Sequence, residues 1–202
     1  MKSGVFTQQG LIGCYEVDMP SKKQTEVLVH TLRSSICGSD LHVGYYGWGV
    51  AEFPLPPGSP GHESVCEVVD GEGTTYNENQ LVLAVPIISE ARSFSQYQVI
   101  GESQLLRIGK NISINEILMA QQLGTVIFAI RKLPELVGKS VVIIGQGSAG
   151  LFHTFMCKRL NASKIIAVEP VDVRCRISKE LGADIVINSK DEHAQESVIE
   201  IT

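Results

Sequence analysis

Two short stretches in the N-terminal half carry side chains that are able to bind a metal ion. Residues 37–42 read CGSDLH and residues 61–63 read GHE. Thiolate, imidazole and carboxylate are the usual zinc donors, and a catalytic zinc site keeps one position open for substrate. Cys37, His62 and Glu63 are therefore candidate metal ligands. The residue types alone leave an alternative open, a buried cysteine beside a histidine whose hydrogen bonds are satisfied within the core.

A third stretch, residues 145–150, reads GQGSAG and has the spacing G-x-G-x-x-G. Residues 140–144 precede it with four consecutive β-branched side chains, a pattern that predicts a parallel strand buried on both faces. Residues 151–160 follow with apolar side chains at helical spacing. The glycines therefore lie at a strand-to-helix turn, which is typical of dinucleotide-binding proteins. The alternative is a glycine-rich turn in some other α/β protein.

Each glycine of this turn has a separate predicted role. Gly145 makes the tight turn, Gly147 lets a pyrophosphate approach the backbone, and Gly150 lets the helix lie close to the strand. The phosphates would lie at the helix N-terminus, beside Ser148 and Ala149, where free N–H groups and the helix dipole favour anions.

A second strand is predicted at residues 164–168, and Glu169 ends it. A carboxylate that binds the adenosine ribose is expected about 20 residues after the glycines. At that place the Glu169 carboxylate would accept hydrogen bonds from the ribose hydroxyls of NAD and repel the 2′-phosphate of NADP. The sequence therefore favours NAD over NADP. Arg174 favours the opposite choice, NADP, because its guanidinium could reach a 2′-phosphate. A helix at residues 173–181 and a third strand at residues 184–187 complete the pattern.

The N-terminal part is predicted to be rich in strands joined by long loops. The predicted strands are residues 11–17, 26–35, 63–69, 80–85 and 94–100. Residues 44–61 contain four prolines and five glycines and form an irregular loop, whose aromatic residues either line a pocket or simply pack. Residues 113–116 match the capping box S-x-x-E, which predicts a helix that runs toward residue 133.

The two metal-binding stretches, followed by the glycine turn, resemble the zinc-dependent medium-chain dehydrogenase/reductase family. That family includes alcohol, polyol, threonine and sugar dehydrogenases. The resemblance implies an α/β protein with a GroES-like, β-rich catalytic domain at residues 1–119. A partial Rossmann domain, with a doubly wound parallel sheet, follows at residues 120–202.

The resemblance also implies a ligand set. Cys37 and His62 match zinc ligands, and Glu63 matches a glutamate that ligates or exchanges with water in some members. The third protein ligand falls at Gln121, whose amide is a poor zinc donor. Three outcomes follow: a weak contact from Gln121, its replacement by Glu63, or loss of zinc. The four-cysteine lobe of the structural zinc is missing, so one catalytic Zn2+ and no structural zinc is expected.

The matching catalytic residues are Ser39, His42 and Asp40. Ser39 matches the hydroxyl that takes the alcohol proton, His42 the outer histidine of the proton relay, and Asp40 an acid that supports the site. The implied reaction is reversible hydride transfer between a secondary alcohol (a polyol, a sugar or a related compound) and NAD(P). The alternatives are a zinc-free reductase of the same fold and a non-catalytic, nucleotide-binding relative.

Composition restricts the partners and the compartment. The formal charge is −5 and there is no basic cluster, so nucleic acid and anionic membrane are not expected partners. Five scattered cysteines without a C-x-x-C motif favour reduced thiols, and we expect a cytoplasmic protein that acts on a small-molecule alcohol or carbonyl compound. Three predicted parallel strands, where about six are usual, suggest part of a longer enzyme. We expect the full-length protein to be a homo-oligomer. The segment alone is expected to be inactive.

Overall fold

The computed structural model describes residues 1–109, 111–190 and 193–202. The chain divides into two compact units, Met1–Gln121 and Gln122–Thr202. Within the described residues, no helix is both long enough and apolar enough to cross a membrane.

The first unit is built mainly of antiparallel strands. Its strands are β1 (Lys2–Gln8), β2 (Leu11–Glu16), β3 (Glu26–Ser34), β4 (Ser64–Asp70), β5 (Leu81–Ala84), β6 (Tyr97–Gly101) and β7 (Leu105–Arg107). A short helix, α1 (Gly38–Gly44), follows β3, and two 3₁₀ helices occupy Ile88–Glu90 and Glu102–Gln104. The sequence prediction lacks β1, β7 and α1, and it begins β6 three residues too early.

The five-stranded sheet of this unit has the order β6-β3-β4-β5-β7, and β1 pairs with β2 separately. Alternate side chains of the long strands point into one core, which includes Val27, Val29, Cys66, Val68 and Val82. In β3, Val27 and Val29 are buried while the residues between and beside them are partly exposed, which is the period-2 pattern of a strand with one face in the core. Helix α2 (Ile114–Ile130) begins directly after the capping-box serine, as predicted, and ends three residues before residue 133.

The second unit has a parallel sheet with helices. Its elements are β8 (Ser140–Ile144), α3 (Ser148–Arg159), β9 (Lys164–Val168), α4 (Asp172–Glu180), β10 (Ile185–Ile187) and α5 (Ala194–Ile201). The strand order is β10-β9-β8, with both pairs parallel. A β-rich part followed by a parallel sheet with helices confirms the predicted fold class. Helix α5 is absent from the sequence prediction.

The prediction that residues 140–144 are buried on both faces is wrong. Ile144 is 84% exposed and Ser140 is exposed as well. Strand β8 lies at the edge of the described sheet, whereas β9 lies in the middle, and Ile165, Ile166 and Ala167 of β9 are fully buried. An unbroken β-branched run thus indicates a parallel strand but does not reveal its place in the sheet.

Candidate metal centre and dinucleotide site

The pairing of β3 with β4 brings the two metal-binding stretches together. The strands are antiparallel, and Ser34 at the end of β3 lies opposite Ser64 at the start of β4. The backbone N–H of Ser35 continues the ladder by donating to the Glu63 carbonyl (3.2 Å). Cys37, which follows β3, therefore lies at the same end of this strand pair as residues 61–63, which precede β4.

Three potential ligand atoms converge at this edge. One atom each from Cys37, His62 and Glu63 lies within 4.8 Å of the others, and His62 Nε2 is 4.0 Å from Glu63 Oε1. Two ligands of one tetrahedral zinc ion lie about 3.6 Å apart, given the usual zinc bond lengths. Small side-chain rotations would close that difference, so the donor set fits a zinc ion. The ligand role of these residues stays a prediction.

Asp40 fixes the orientation of both Cys37 and His62. Its Oδ2 accepts the Cys37 backbone N–H (2.7 Å), which caps helix α1, and its Oδ1 lies 3.1 Å from His62 Nδ1. With Nδ1 held by the carboxylate, the other ring nitrogen, Nε2, faces Glu63. A carboxylate behind a ligating histidine is the usual support of a metal site. The role of Asp40 in supporting a metal site stays a prediction.

The surroundings of His62 favour positive charge. Its hydrogen bond with Asp40 raises the pKa of His62 to about 9; burial opposes this, and the charges of Asp40, Cys37 and Glu63 add to it. Glu63 is itself buried and accepts a hydrogen bond from the Ser35 hydroxyl. Two buried carboxylates and a thiol around one imidazole therefore favour a cation at this position.

The other predicted catalytic residues lie on α1. Ser39 Oγ is 3.5 Å from His62 Nε2, so Ser39 lies beside the converging donors. His42 is exposed and its ring stacks on Trp48, with centroids 4.7 Å apart. No hydrogen bond joins Ser39 to His42 among the described side chains, so the proton relay through them stays a prediction. Gln121 lies half-buried on α2, and its ligand role stays a prediction as well.

A cavity of about 830 Å³ is lined partly by residues that are close in sequence to His42 and His62. Val43, which follows His42, and Pro60, two residues before His62, form part of its wall. Most of its lining is apolar, and the principal side chains are those of Val43, Trp48, Val50, Leu55, Ile87 and Ile88. In the aromatic loop, Trp48 lines this cavity, whereas Tyr45 packs edge-on against Phe6 (6.1 Å).

In the second unit, the glycine turn has the conformation that the motif predicts. Gly145 has φ +85°, a conformation that favours glycine. A Cβ on Gly150 would lie 1.9 Å from the Gly145 carbonyl oxygen, so the start of α3 needs glycine there. A Cβ on Gly147 would meet no atom within 4 Å. That open side is what an approaching pyrophosphate requires. Helix α3 begins at Ser148, three residues before the stretch 151–160 that predicted it, so Ser148 and Ala149 lie in its first turn.

Glu169 lies directly after β9 and beside this turn, with 2% of its surface exposed. Its Oε2 accepts the backbone N–H of Gln146 (2.6 Å) and its Oε1 accepts that of Val171 (3.0 Å). Arg174 Nη1 lies 3.7 Å from Oε1, and the Arg174 side chain is half-exposed. The carboxylate is thus held by the protein itself, which the sequence analysis did not anticipate.

Comparison with known proteins identifies the family. The alcohol dehydrogenase GroES-like domain matches residues 23–125, about half of the chain. The chain belongs to the medium-chain dehydrogenase/reductase family. The L-threonine 3-dehydrogenase of Caldanaerobacter subterraneus subsp. tengcongensis is 30% identical over 200 residues, which cover 85% of this chain and 56% of that protein.

Solved structures of dehydrogenases have the same fold as this family member. Galactitol-1-phosphate dehydrogenase from Escherichia coli superposes with a TM-score of 0.86 at 22% identity, covering 99% of this chain and 65% of that one. Alcohol dehydrogenase TADH from Thermus sp. ATN1 gives 0.85 at 25% identity, with coverages of 100% and 67%. The resemblance inferred from the motifs is confirmed. The chain spans between about half and two thirds of the length of these relatives.

Proposed function

We propose that this chain forms the metal-binding and dinucleotide-binding parts of a zinc-dependent alcohol dehydrogenase. The enzyme transfers a hydride between a secondary alcohol (a polyol, a sugar or a related compound) and NAD(P). The observation that carries the proposal is the convergence of Cys37, His62 and Glu63, with Asp40 behind the imidazole. The similarity to proteins named L-threonine 3-dehydrogenase and alcohol dehydrogenase supports it.

Cys37, His62 and Glu63 would hold the zinc ion. The chemistry that zinc supplies in such a site is Lewis acidity toward a substrate oxygen. Asp40 keeps the Nδ1 proton of His62 in place, so that Nε2 presents its lone pair to a metal ion. Ser39, beside Nε2, would accept the hydroxyl proton of the alcohol and pass it toward the exposed His42.

The second unit would bind the adenosine half of the cofactor. The open side at Gly147 would receive the pyrophosphate, and the N-terminus of α3 at Ser148 would bind it. Hydride transfer is the chemistry of the nicotinamide cofactor. We propose NAD over NADP, because Glu169 ends β9 beside the glycine turn.

We also propose that the cavity beside Trp48 receives the substrate; within the class of secondary alcohols named above, its apolar wall then favours a related compound with an apolar substituent over a polyol or a sugar. Trp48 is 66% exposed, and Ile87 and Ile88 are exposed as well, although all three are large apolar side chains. Burying such surface under an apolar ligand is favourable, by about 25 cal/mol per Å². Trp48→Ala is therefore expected to weaken the binding of apolar alcohols more than that of polyols.

Zinc binding by the purified chain is the first test, with isothermal titration calorimetry as the measurement. We expect one zinc ion per chain, and loss of binding in Cys37→Ser but not in Cys14→Ser, which alters an exposed cysteine. Zinc should also protect Cys37 from alkylation, while Cys14 continues to react. Cys66 should stay unreactive throughout, since burial raises the pKa of its thiol to about 11.

A chain that binds dinucleotide but no zinc would contradict the proposal and support the zinc-free reductase or the non-catalytic relative. Hydride transfer separates these two, because only the reductase reduces a carbonyl compound with NADH or NADPH. That assay needs the full-length protein and a panel of alcohols and ketones with different substituents.

A further inference from the structure

The side chain of Gln146 is completely buried, although it belongs to a turn between two glycines. Its Oε1 accepts a hydrogen bond from the hydroxyl of Thr154 on α3 (2.8 Å) and lies 3.0 Å from the hydroxyl of Ser178 on α4. Its Nε2 lies 3.2 Å from the Gly145 carbonyl and 3.5 Å from that of Ile143. One amide thus joins the glycine turn to both flanking helices.

These contacts leave the amide fully satisfied. Two hydroxyls surround its oxygen and two carbonyls surround its nitrogen, which fixes the orientation of the amide group. Thr154 and Ser178 are themselves fully buried, and the Ser178 hydroxyl shares its proton with the Arg174 carbonyl (2.7 Å). A buried polar network with every member paired specifies one local geometry, whereas a partly paired one is costly.

The backbone of the same residue reaches the predicted ribose acid. The Gln146 N–H donates to Glu169 Oε2 (2.6 Å), so the position of this residue also determines where that carboxylate lies. Ser178 and Arg174 are four residues apart on α4, which places both on the same face of that helix. Gln146 therefore connects the glycine turn to the Glu169 carboxylate through its backbone, and to the Arg174 carbonyl through its side chain and Ser178.

We infer that Gln146 is a positioning residue for the dinucleotide, holding the glycine turn and Glu169 in the binding geometry before the ligand arrives. This inference rests on the proposed function, since it presupposes that the turn binds a dinucleotide. Thr154 and Ser178 are the two anchors of this arrangement. Preorganisation of this kind raises affinity because the ordering cost is met on folding and not on binding.

The test compares ligand affinity with stability in the 202-residue chain. ADP-ribose is the probe, calorimetry gives its Kd, and thermal unfolding gives Tm. Gln146→Leu should raise the Kd about tenfold, with cooperative unfolding retained. Thr154→Val should also raise the Kd, whereas Thr154→Ser, which keeps the hydroxyl, should have the wild-type Kd. Ile165→Val is the matched control, because it removes one buried methyl from β9 without touching the turn.

The outcomes are distinct. If wild type binds ADP-ribose and Gln146→Leu binds it equally well, the inference is wrong and the proposed function stands. The same conclusion follows if Ile165→Val weakens binding as much as Thr154→Val at a comparable Tm, since stability alone then explains the effect. If Gln146→Leu does not fold, Thr154→Val and Ser178→Ala decide, each removing one hydroxyl. If wild type fails to bind ADP-ribose, the proposed dinucleotide site itself is wrong and the inference falls with it.

Discussion

The two candidate sites differ in the groups that balance the charge of their buried carboxylates. In the first unit, Asp40 and Glu63 are buried around an imidazole and a thiol, and together they raise the pKa of His62. In the second unit, Glu169 is equally buried, but two backbone N–H groups and Arg174 already satisfy it. The first arrangement favours an added cation, whereas the second is complete as the protein folds.

This difference indicates how each site would respond to its ligand. A buried charge is tolerated only when it is paired or neutralised. At the candidate metal centre a proton or a metal ion would supply that pairing, so metal binding there should be coupled to protonation. At the glycine turn the pairing is internal, so ligand binding should depend on backbone geometry. The predictions below separate these two modes of stabilisation.

The largest expected effect is that of Gly150→Ala on the second unit. The new Cβ would lie 1.9 Å from the Gly145 carbonyl oxygen, a backbone atom. Such overpacking costs about 3 kcal/mol of unfolding free energy and should abolish ADP-ribose binding. Gly147→Ala is the matched variant, because its Cβ meets no protein atom, and it should cost less than about 1 kcal/mol. Urea unfolding and calorimetry measure both quantities.

Gly147→Ala should nevertheless weaken ADP-ribose binding, since its methyl group would occupy the open side of the turn. Zinc binding should remain at the wild-type level in both variants. Unimpaired ADP-ribose binding by Gly147→Ala would show that no ligand approaches the backbone there.

Loss of the proton from His62 should make the metal-free chain less stable at alkaline pH. Because the folded-state pKa is about 9, above the ordinary value of 6.5, the stabilisation is fully present below pH 6.5 and is lost as pH rises through about 9. We expect a loss of about 2 kcal/mol over this window. Urea unfolding at several pH values, with chelator present, measures it. Asp40→Asn should flatten the dependence, and an equally steep curve in that variant would remove Asp40 as the cause.

Asp40→Asn should also lower zinc affinity by at least about tenfold, because the carboxylate behind the ligating histidine is lost. Since zinc must displace the proton on His62, the affinity should rise with pH up to about 9 in wild type and less steeply in the variant. Competition with a chromophoric chelator measures both effects. Asp18→Asn, an exposed acid of the same unit, is the control. Equal zinc affinity in wild type and Asp40→Asn would mean that His62 is not a ligand through Nε2.

The candidate ligand residues could be proposed from the sequence because cysteine, histidine and glutamate, which are usual zinc donors, occur beside the ends of two predicted strands. Cys37 and the pair His62–Glu63 stand beside segments with clear strand patterns, and antiparallel pairing of those strands brings them together. The glycine turn was recognisable for a similar reason, since each glycine has its own steric or conformational requirement. In both cases the information is local.

The features that the sequence did not reveal depend on distant partners. Helix α1 has glycine and serine in its first turn, which read as a loop, and the Asp40 carboxylate that caps it is held in turn by His62. Gln146 reads as a polar turn residue, and its burial depends on Thr154 and on Ser178, which is 32 residues away. The exposure of Ile144 follows from strand order, which side-chain periodicity does not encode.

The smallest expected effect concerns the choice between NAD and NADP at Glu169. Two like charges about 4 Å apart, in partly screened surroundings, repel by on the order of 4 kcal/mol, which would exclude a 2′-phosphate. Arg174 Nη1 lies 3.7 Å from Oε1, however, and offsets much of that repulsion. We therefore expect wild type to prefer ADP-ribose over 2′-phospho-ADP-ribose by only about fivefold.

Glu169→Gln and Arg174→Ala should move this preference in opposite directions. Glu169→Gln removes the negative charge and frees Arg174, so the preference for ADP-ribose should fall, while affinity for both ligands drops because a hydrogen bond to Gln146 or Val171 is lost. Arg174→Ala leaves the carboxylate uncompensated and should increase the preference. Calorimetric Kd ratios for the two ligands measure this. A ratio that both substitutions leave unchanged would mean that Glu169 only braces the glycine turn and that the 2′ position of the ribose lies elsewhere.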